Sequence, residues 1–98
     1  MAEIVWTSPA LDDLNDIAEY IALSNLSAAK NLTQKVFDKI SRLEDHPESG
    51  KRPQELINLN YREVIVNPCR IFYKVDCDKV YILHVMRQEA DLRRFLLD

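Results

Sequence analysis

The sequence predicts an α+β domain, a helix hairpin packed on an antiparallel β-sheet, and three observations carry that prediction. Residues 9–43 hold two apolar stripes at spacings of three and four, the period of an amphipathic helix. Residues 61–87 are rich in Val, Ile, Tyr and Phe and are broken by turns at Asn67-Pro68 and Asp76-Cys77-Asp78, the pattern of a β-meander. The chain has 98 residues, so residues 1–98 are expected to form a single domain, since independent domains run from roughly 50 to 250 residues.

The elements follow in order. Residues 3–7 read as a short first strand, because Ile4, Val5 and Trp6 all favour extended backbone, and Ser8-Pro9 ends it. Ser8 is placed to cap a helix, Pro9 suits the first helical position because its missing N–H would be unpaired there, and Asp12 and Asp13 favour the positive end of the helix dipole. Leu11, Leu14, Ile17, Ala18 and Ile21 then give one apolar stripe over residues 9–23. Ser24, Asn25 and Ser27 supply capping groups for a second helix with the stripe Ala29, Leu32, Val36, Ile40 and Leu43. So short a link makes the helices antiparallel neighbours. His46-Pro47 stops the second helix, because the residue before a proline is pushed out of the α region. A loop with the only glycine, Gly50, and with Lys51, Arg52 and Pro53 leads to strands at 61–66, 70–75 and 79–87. Residues 89–97 have enough Leu, Arg and Ala for a last helical turn or two.

Composition excludes several classes. Hydrophobic residues at 47% and charged residues at 30% place the chain among globular proteins rather than disordered ones. No apolar run approaches the ~18 residues of a spanning helix, and the N-terminus lacks the basic and apolar regions of a secretion signal, so the protein is expected in the cytoplasm and away from membranes. One glycine cannot build a phosphate-binding loop, so no nucleotide cofactor is expected. Cys69 and Cys77 with two scattered histidines do not make a zinc set. Both thiols are expected to be reduced and structural, and no metal is expected.

Charge divides the chain. Residues 1–50 carry a net −5 and residues 51–98 a net +2, so basic charge gathers in the sheet half. In the long strands both alternating sets are substantially apolar: Ile71, Tyr73 and Val75 against Arg70, Phe72 and Lys74, and Val80 and Ile82 against Tyr81, Leu83 and Val85. A hairpin covers one face, and a bare second face would be an apolar patch fringed by Arg and Lys, the kind of surface that binds partners. The tail or a second copy is the alternative cover. His84 lies near a strand end with Arg87, Glu89 and Asp91 beyond it and Arg70 on the neighbouring strand. That group could cleave a phosphodiester, with arginines stabilising charge and His84 moving protons, or it could be an ion-pair network.

Order and local words together resemble the RelE/ParE superfamily of bacterial type II toxins over essentially the full chain. The matching words are Trp6-Thr7-Ser8-Pro9-Ala10 leading into Asp12-Asp13-Leu14, Ile17-Ala18-Glu19-Tyr20-Ile21, Ala28-Ala29, His46-Pro47-Glu48-Ser49-Gly50-Lys51 and Tyr61-Arg62-Glu63. Cys69-Arg70-Ile71-Phe72-Tyr73-Lys74-Val75 and Tyr81-Ile82-Leu83-His84-Val85 complete the set.

This resemblance implies a toxin held in a hetero-oligomer by a small antitoxin, whose extended C-terminal segment wraps it and whose N-terminal domain binds DNA. The toxin alone is not expected to bind a specific nucleic acid sequence. RelE-like members are ribosome-dependent ribonucleases that cut mRNA, whereas ParE-like members poison DNA gyrase. Arg70 stands where RelE-like enzymes place an arginine near the scissile phosphate, a position that ParE-like chains also commonly fill with arginine. Gln88 aligns with their second arginine, Arg94 with their tail tyrosine, and only Lys51 and Arg52 remain of their basic stretch. The ParE branch is therefore favoured. The expected function is a non-enzymatic trap of gyrase with its cleaved DNA, with gyrase contacts at Arg87, Arg93, Arg94 and Phe95. Antitoxin contacts are expected at Arg62, Arg70, Phe72 and Lys74. The alternative is an mRNA interferase built on Arg70, His84 and Arg87, and a third reading is a decayed toxin that only binds its antitoxin.

Overall fold

A computed structural model describes residues 1–56 and 59–88; the helical turns expected at 89–97 lie outside the described residues. Strand β1 (Glu3–Trp6) runs into helix α1 (Ser8–Ala22), and helix α2 (Leu26–Ser41) returns beside it. A 3-10 turn (Arg42–Glu44) and a second one (Gln54–Leu56) lead to β2 (Arg62–Val66), β3 (Cys69–Asp76) and β4 (Lys79–Arg87). The two helices pack on a four-stranded sheet in the order β1-β4-β3-β2. β2, β3 and β4 form the antiparallel meander that their short turns require. β1 joins β4 in parallel, with Glu3 opposite Lys79 and Trp6 opposite Ile82, so the sheet is mixed.

The α1 cap is Thr7 rather than Ser8. Its Oγ1 accepts the Ala10 N–H at 3.3 Å and donates to the Ile82 carbonyl at 2.6 Å. The sheet thus holds the residue that starts the helix, and Ser8 becomes its exposed first residue. Asn25 caps α2 through its Oδ1, which accepts from the Ala28 N–H at 2.9 Å. α2 ends at Ser41, before His46-Pro47, and Leu43 lies in the 3-10 turn that follows. Tightening the last turn keeps Leu43 on the inner stripe, where it is buried.

Leu14, Leu32, Val36, Ile40 and Leu43 from the helical layer meet Val64, Ile71, Tyr73, Val80, Ile82 and Val85 from the sheet. Each such side chain contributes about 1.5–3 kcal/mol through removal from water. Tyr73 is also a strut. Its hydroxyl accepts the Gly50 N–H at 2.8 Å, and a Cβ at position 50 would lie 2.5 Å from that oxygen and 2.7 Å from the Glu63 carbonyl. Only glycine lets the loop approach this closely. Lys51 and Glu63 exchange backbone hydrogen bonds of 3.0 and 2.7 Å, which lays the loop along β2.

Two expectations change here. Cys69 is buried, but Cys77 is exposed in the β3–β4 turn at φ 57, so it is no part of the packed interior. The sheet face turned from the hairpin is not uniformly bare, since Phe72 is 1% and Met86 2% exposed, while Lys74 is exposed and Tyr81 half-buried. Phe72 pairs with His84 and Tyr73 with Ile82, which leaves Leu83 as the extra residue of a bulge in β4.

Candidate functional site

Arg70 lies on β3, with the flanking strands fixing its backbone. Glu63 stands opposite Phe72, two residues along from Arg70 and on the same face, so the two side chains are diagonal neighbours. Glu63 Oε2 accepts from Arg70 Nη2 at 2.7 Å and from Nε at 3.2 Å. Glu55, in the 3-10 turn Gln54–Leu56, takes the outer edge: its carboxylate accepts from Nη1 at 2.6 Å and from Nη2 at 2.7 Å. The Arg70 guanidinium also lies 4.8 Å from the centre of the Phe72 ring. The three charged side chains are only 11%, 16% and 6% exposed for Arg70, Glu55 and Glu63. Hydrogen bonding to Glu55, opposed by burial and reinforced by Glu63, raises the Arg70 pKa above its ordinary range, so this arginine is permanently charged.

His84 is held at another place. Its Nδ1 lies 3.1 Å from Asp13 Oδ2, and the same oxygen accepts the Val85 N–H at 3.1 Å. β1 pairs with β4 only as far as Ile82; beyond it the Thr7 and Asp13 side chains take over the β4 edge. Arg87 is exposed, and its guanidinium lies 5.2 Å from the centre of the Tyr20 ring on α1. The three residues are thus held by different groups: Arg70 by Glu55, Glu63 and Phe72, His84 by Asp13, and Arg87 by the Tyr20 ring. Gln88 braces the β2–β3 turn, with its N–H donating to the Pro68 carbonyl at 2.9 Å and its side-chain amide to Asn67 Oδ1.

Of the other expected contacts, Arg62 donates through Nη1 to the carbonyls of Gly50 at 2.8 Å and Glu48 at 3.1 Å, which ties it to the loop. Phe72 is buried, and Lys74 is exposed with its Nζ 5.8 Å from the Tyr81 ring centre. Arg93, Arg94 and Phe95 lie outside the described residues. Glu55 and Asp13 were missed as site residues: Glu55 sits in a loop without periodicity, and Asp13 is 71 positions from His84. Glu63 was missed too, although the meander register, which places it beside Arg70, is a signal that could have found it.

The hairpin supplies a second surface. A groove of about 360 Å³ between α1 and α2 is lined by Ala18, Ala22, Leu26, Ala29, Thr33 and Phe37, with Glu19, Lys30 and Gln34 also along it. Leu26 and Phe37, both of which line it, are 59% and 39% exposed, and Phe37 packs against Trp6 with ring centres 5.0 Å apart. Surface apolar residues gathered at a groove, rather than scattered singly, mark a docking surface. Among the described residues no group of His, Cys, Asp and Glu could hold a metal ion, and no helix is long and apolar enough to cross a membrane.

Comparison with known proteins bears on these surfaces. Residues 4–92 match the family described as the ParE toxin of type II toxin-antitoxin systems, parDE. A curated relative from Caulobacter vibrioides, Toxin RelE2, is 34% identical over 86 residues, covering 87% of this chain and 93% of its own length. Among solved structures, a chain of the chromosomal ParDE system of P. aeruginosa superposes with a TM-score of 0.75 at 24% identity, covering 91% of this chain and 98% of that one. A chain of the Mycobacterium tuberculosis toxin-antitoxin complex RelBE2 superposes with a TM-score of 0.58 at 19% identity, covering 89% and 98%.

Proposed function

The chain belongs to the ParE toxin family of type II toxin-antitoxin systems, within the RelE/ParE superfamily, and from that premise we propose that it is a non-enzymatic poison of DNA gyrase kept inactive by a cognate antitoxin. The observation that carries the choice is the state of Arg70. A phosphodiester cleaver needs donors aimed at the position where charge develops, whereas Arg70 donates through Nε, Nη1 and Nη2 to Glu55 and Glu63. His84 is turned to Asp13, and Gln88 stands where a second arginine would be wanted. These residues support binding rather than chemistry. Gyrase contact is proposed at Arg87 and, beyond the described residues, at Arg93, Arg94 and Phe95.

The antitoxin is proposed to lie along the groove between α1 and α2 and to reach the open part of the sheet at Lys74. An amphipathic segment fits the groove, because its apolar lining can take up the ligand's apolar stripe while Lys30 and Lys74 can meet acidic side chains. The mRNA interferase remains the competing reading, favoured by the relative named Toxin RelE2. Purified components separate the two: the proposal expects loss of gyrase supercoiling with mRNA intact on translating ribosomes, and the opposite pattern overturns it.

A further inference from the structure

The outer edge of Arg70 is filled by a carboxylate from this chain's own loop, and we propose that Glu55 is a built-in plug, an internal anion that occupies an oxyanion site on the sheet and denies it to external phosphate or carboxylate groups. Arg70 is rigidly presented. It lies on the strand between β2 and β4, its Nε and Nη2 are held by the 5% exposed Glu63, and the Phe72 ring lies beside its guanidinium. The remaining edge, Nη1 and Nη2, meets Glu55 at 2.6 and 2.7 Å. That is the fork-to-fork geometry in which arginine binds any carboxylate or phosphate.

The surroundings fit the same reading. Arg70, Glu55 and Glu63 line a cavity of about 600 Å³ with Lys51, Arg52 and Gln54. With Glu55 ionised its lining carries a net +1, and with Glu55 neutralised a net +2, so the plug halves the charge that an external anion meets. Glu55 comes from a turn of three residues, whereas Glu63 comes from the sheet. The occupant that can be exchanged is therefore Glu55, and the one that orients the arginine is Glu63. This device is independent of the gyrase target, since it concerns only what Arg70 can accept.

The test follows the Arg70 side-chain Nε–H signal by NMR while inorganic phosphate, or in a second arm acetate, is titrated into the full chain. In Glu55→Gln the Arg70 signal should shift and saturate, with an apparent Kd at least about tenfold below that of wild type, equivalent to ~1.4 kcal/mol. Saturation by phosphate alone would assign the site to phosphate groups, and saturation by acetate would extend it to carboxylates; either supports the plug. An Arg70 response in folded Glu55→Gln equal to that of wild type would overturn it. If Glu55→Gln does not fold, Glu55→Asp replaces it. Its carboxylate is one methylene shorter, so an affinity above wild type supports the plug and one equal to wild type overturns it. Both readings start from the Arg70–Glu55 contact, but none of these readouts involves gyrase, so failure of the plug is told apart from failure of the proposed function, which the supercoiling assay reads separately.

Discussion

Asp13 accepts the backbone N–H of Val85 at 3.1 Å, so a side chain of α1 continues the hydrogen bonding of β4 where β1 stops. The same oxygen meets His84 Nδ1. An amide oxygen can still take the Val85 N–H, but a methyl cannot. Asp13→Ala should therefore lower stability by about 1–3 kcal/mol, the range for leaving a buried donor unsatisfied, and Asp13→Asn should lose less. Denaturant midpoints of the two variants, measured with an unchanged m-value, check the order.

Arg70 and its two carboxylates make a prediction about charge. Removing the arginine alone leaves Glu55 and Glu63 facing each other in a largely buried site, which should cost about 3–5 kcal/mol. Removing all three charges, as Arg70→Met with Glu55→Gln and Glu63→Gln, should recover most of that loss. Thermal midpoints of Arg70→Ala and the triple variant decide it. A triple variant no more stable than Arg70→Ala would show that the packing of the arginine, and not its charge balance, holds this region together.

Tyr73 predicts a pH dependence with a definite sign. Burial, the largest effect, raises its pKa, while the hydrogen bond from Gly50 and the charge of Arg62 act to lower it. The unfolded chain loses this proton near pH ~10 and the folded chain above that. The stability associated with Tyr73 is thus fully present below about pH 10 and is lost as pH rises toward the folded pKa. Tyr73→Phe should be less stable at neutral pH, because the Gly50 N–H loses its acceptor. Its stability should also fall less steeply than that of wild type above pH ~10. Parallel urea titrations across that range would show the converging curves.

Much of this architecture was legible in sequence because it is set locally. The stripe Ala29, Leu32, Val36 and Ile40 needs only helical spacing, and the meander needs only turns at Asn67-Pro68 and around Cys77. The Glu63–Arg70 pair was not read, since it needs the strand register, with Glu63 opposite Phe72, and not only the position of the turns. What was not legible depends on residues far apart in the chain. The parallel pairing of β1 with β4 and the Asp13–His84 contact join segments about 70 or more positions apart, and no short-range pattern encodes them. Thr7 displaced Ser8 as the cap for the same reason: its hydroxyl is anchored on Ile82, and either hydroxyl would have served locally.

Stability and toxicity should separate cleanly between the core and the tail. Leu43 is 1% exposed, and Leu43→Ala should cost roughly 2–5 kcal/mol through the cavity it leaves, lowering every activity together. Arg93→Ala with Arg94→Ala should alter stability by about 0.5 kcal/mol or less, abolish gyrase inhibition and leave the antitoxin complex intact. Thermal midpoint and supercoiling activity, taken side by side for both variants, test the contrast. A tail double variant with full toxicity would move the gyrase surface to the hairpin, at Tyr20 and Leu23.

The most direct measurement on the proposed function is the accumulation of cleaved plasmid in the presence of purified gyrase, ATP and the toxin, resolved after denaturing the enzyme. Trapping of the cleaved-DNA intermediate predicts linear plasmid that rises with toxin up to stoichiometry with gyrase and disappears when the antitoxin is added. Plasmid that stays intact and fully supercoiled at an excess of folded toxin, while the same preparation cuts mRNA on translating ribosomes, would contradict it.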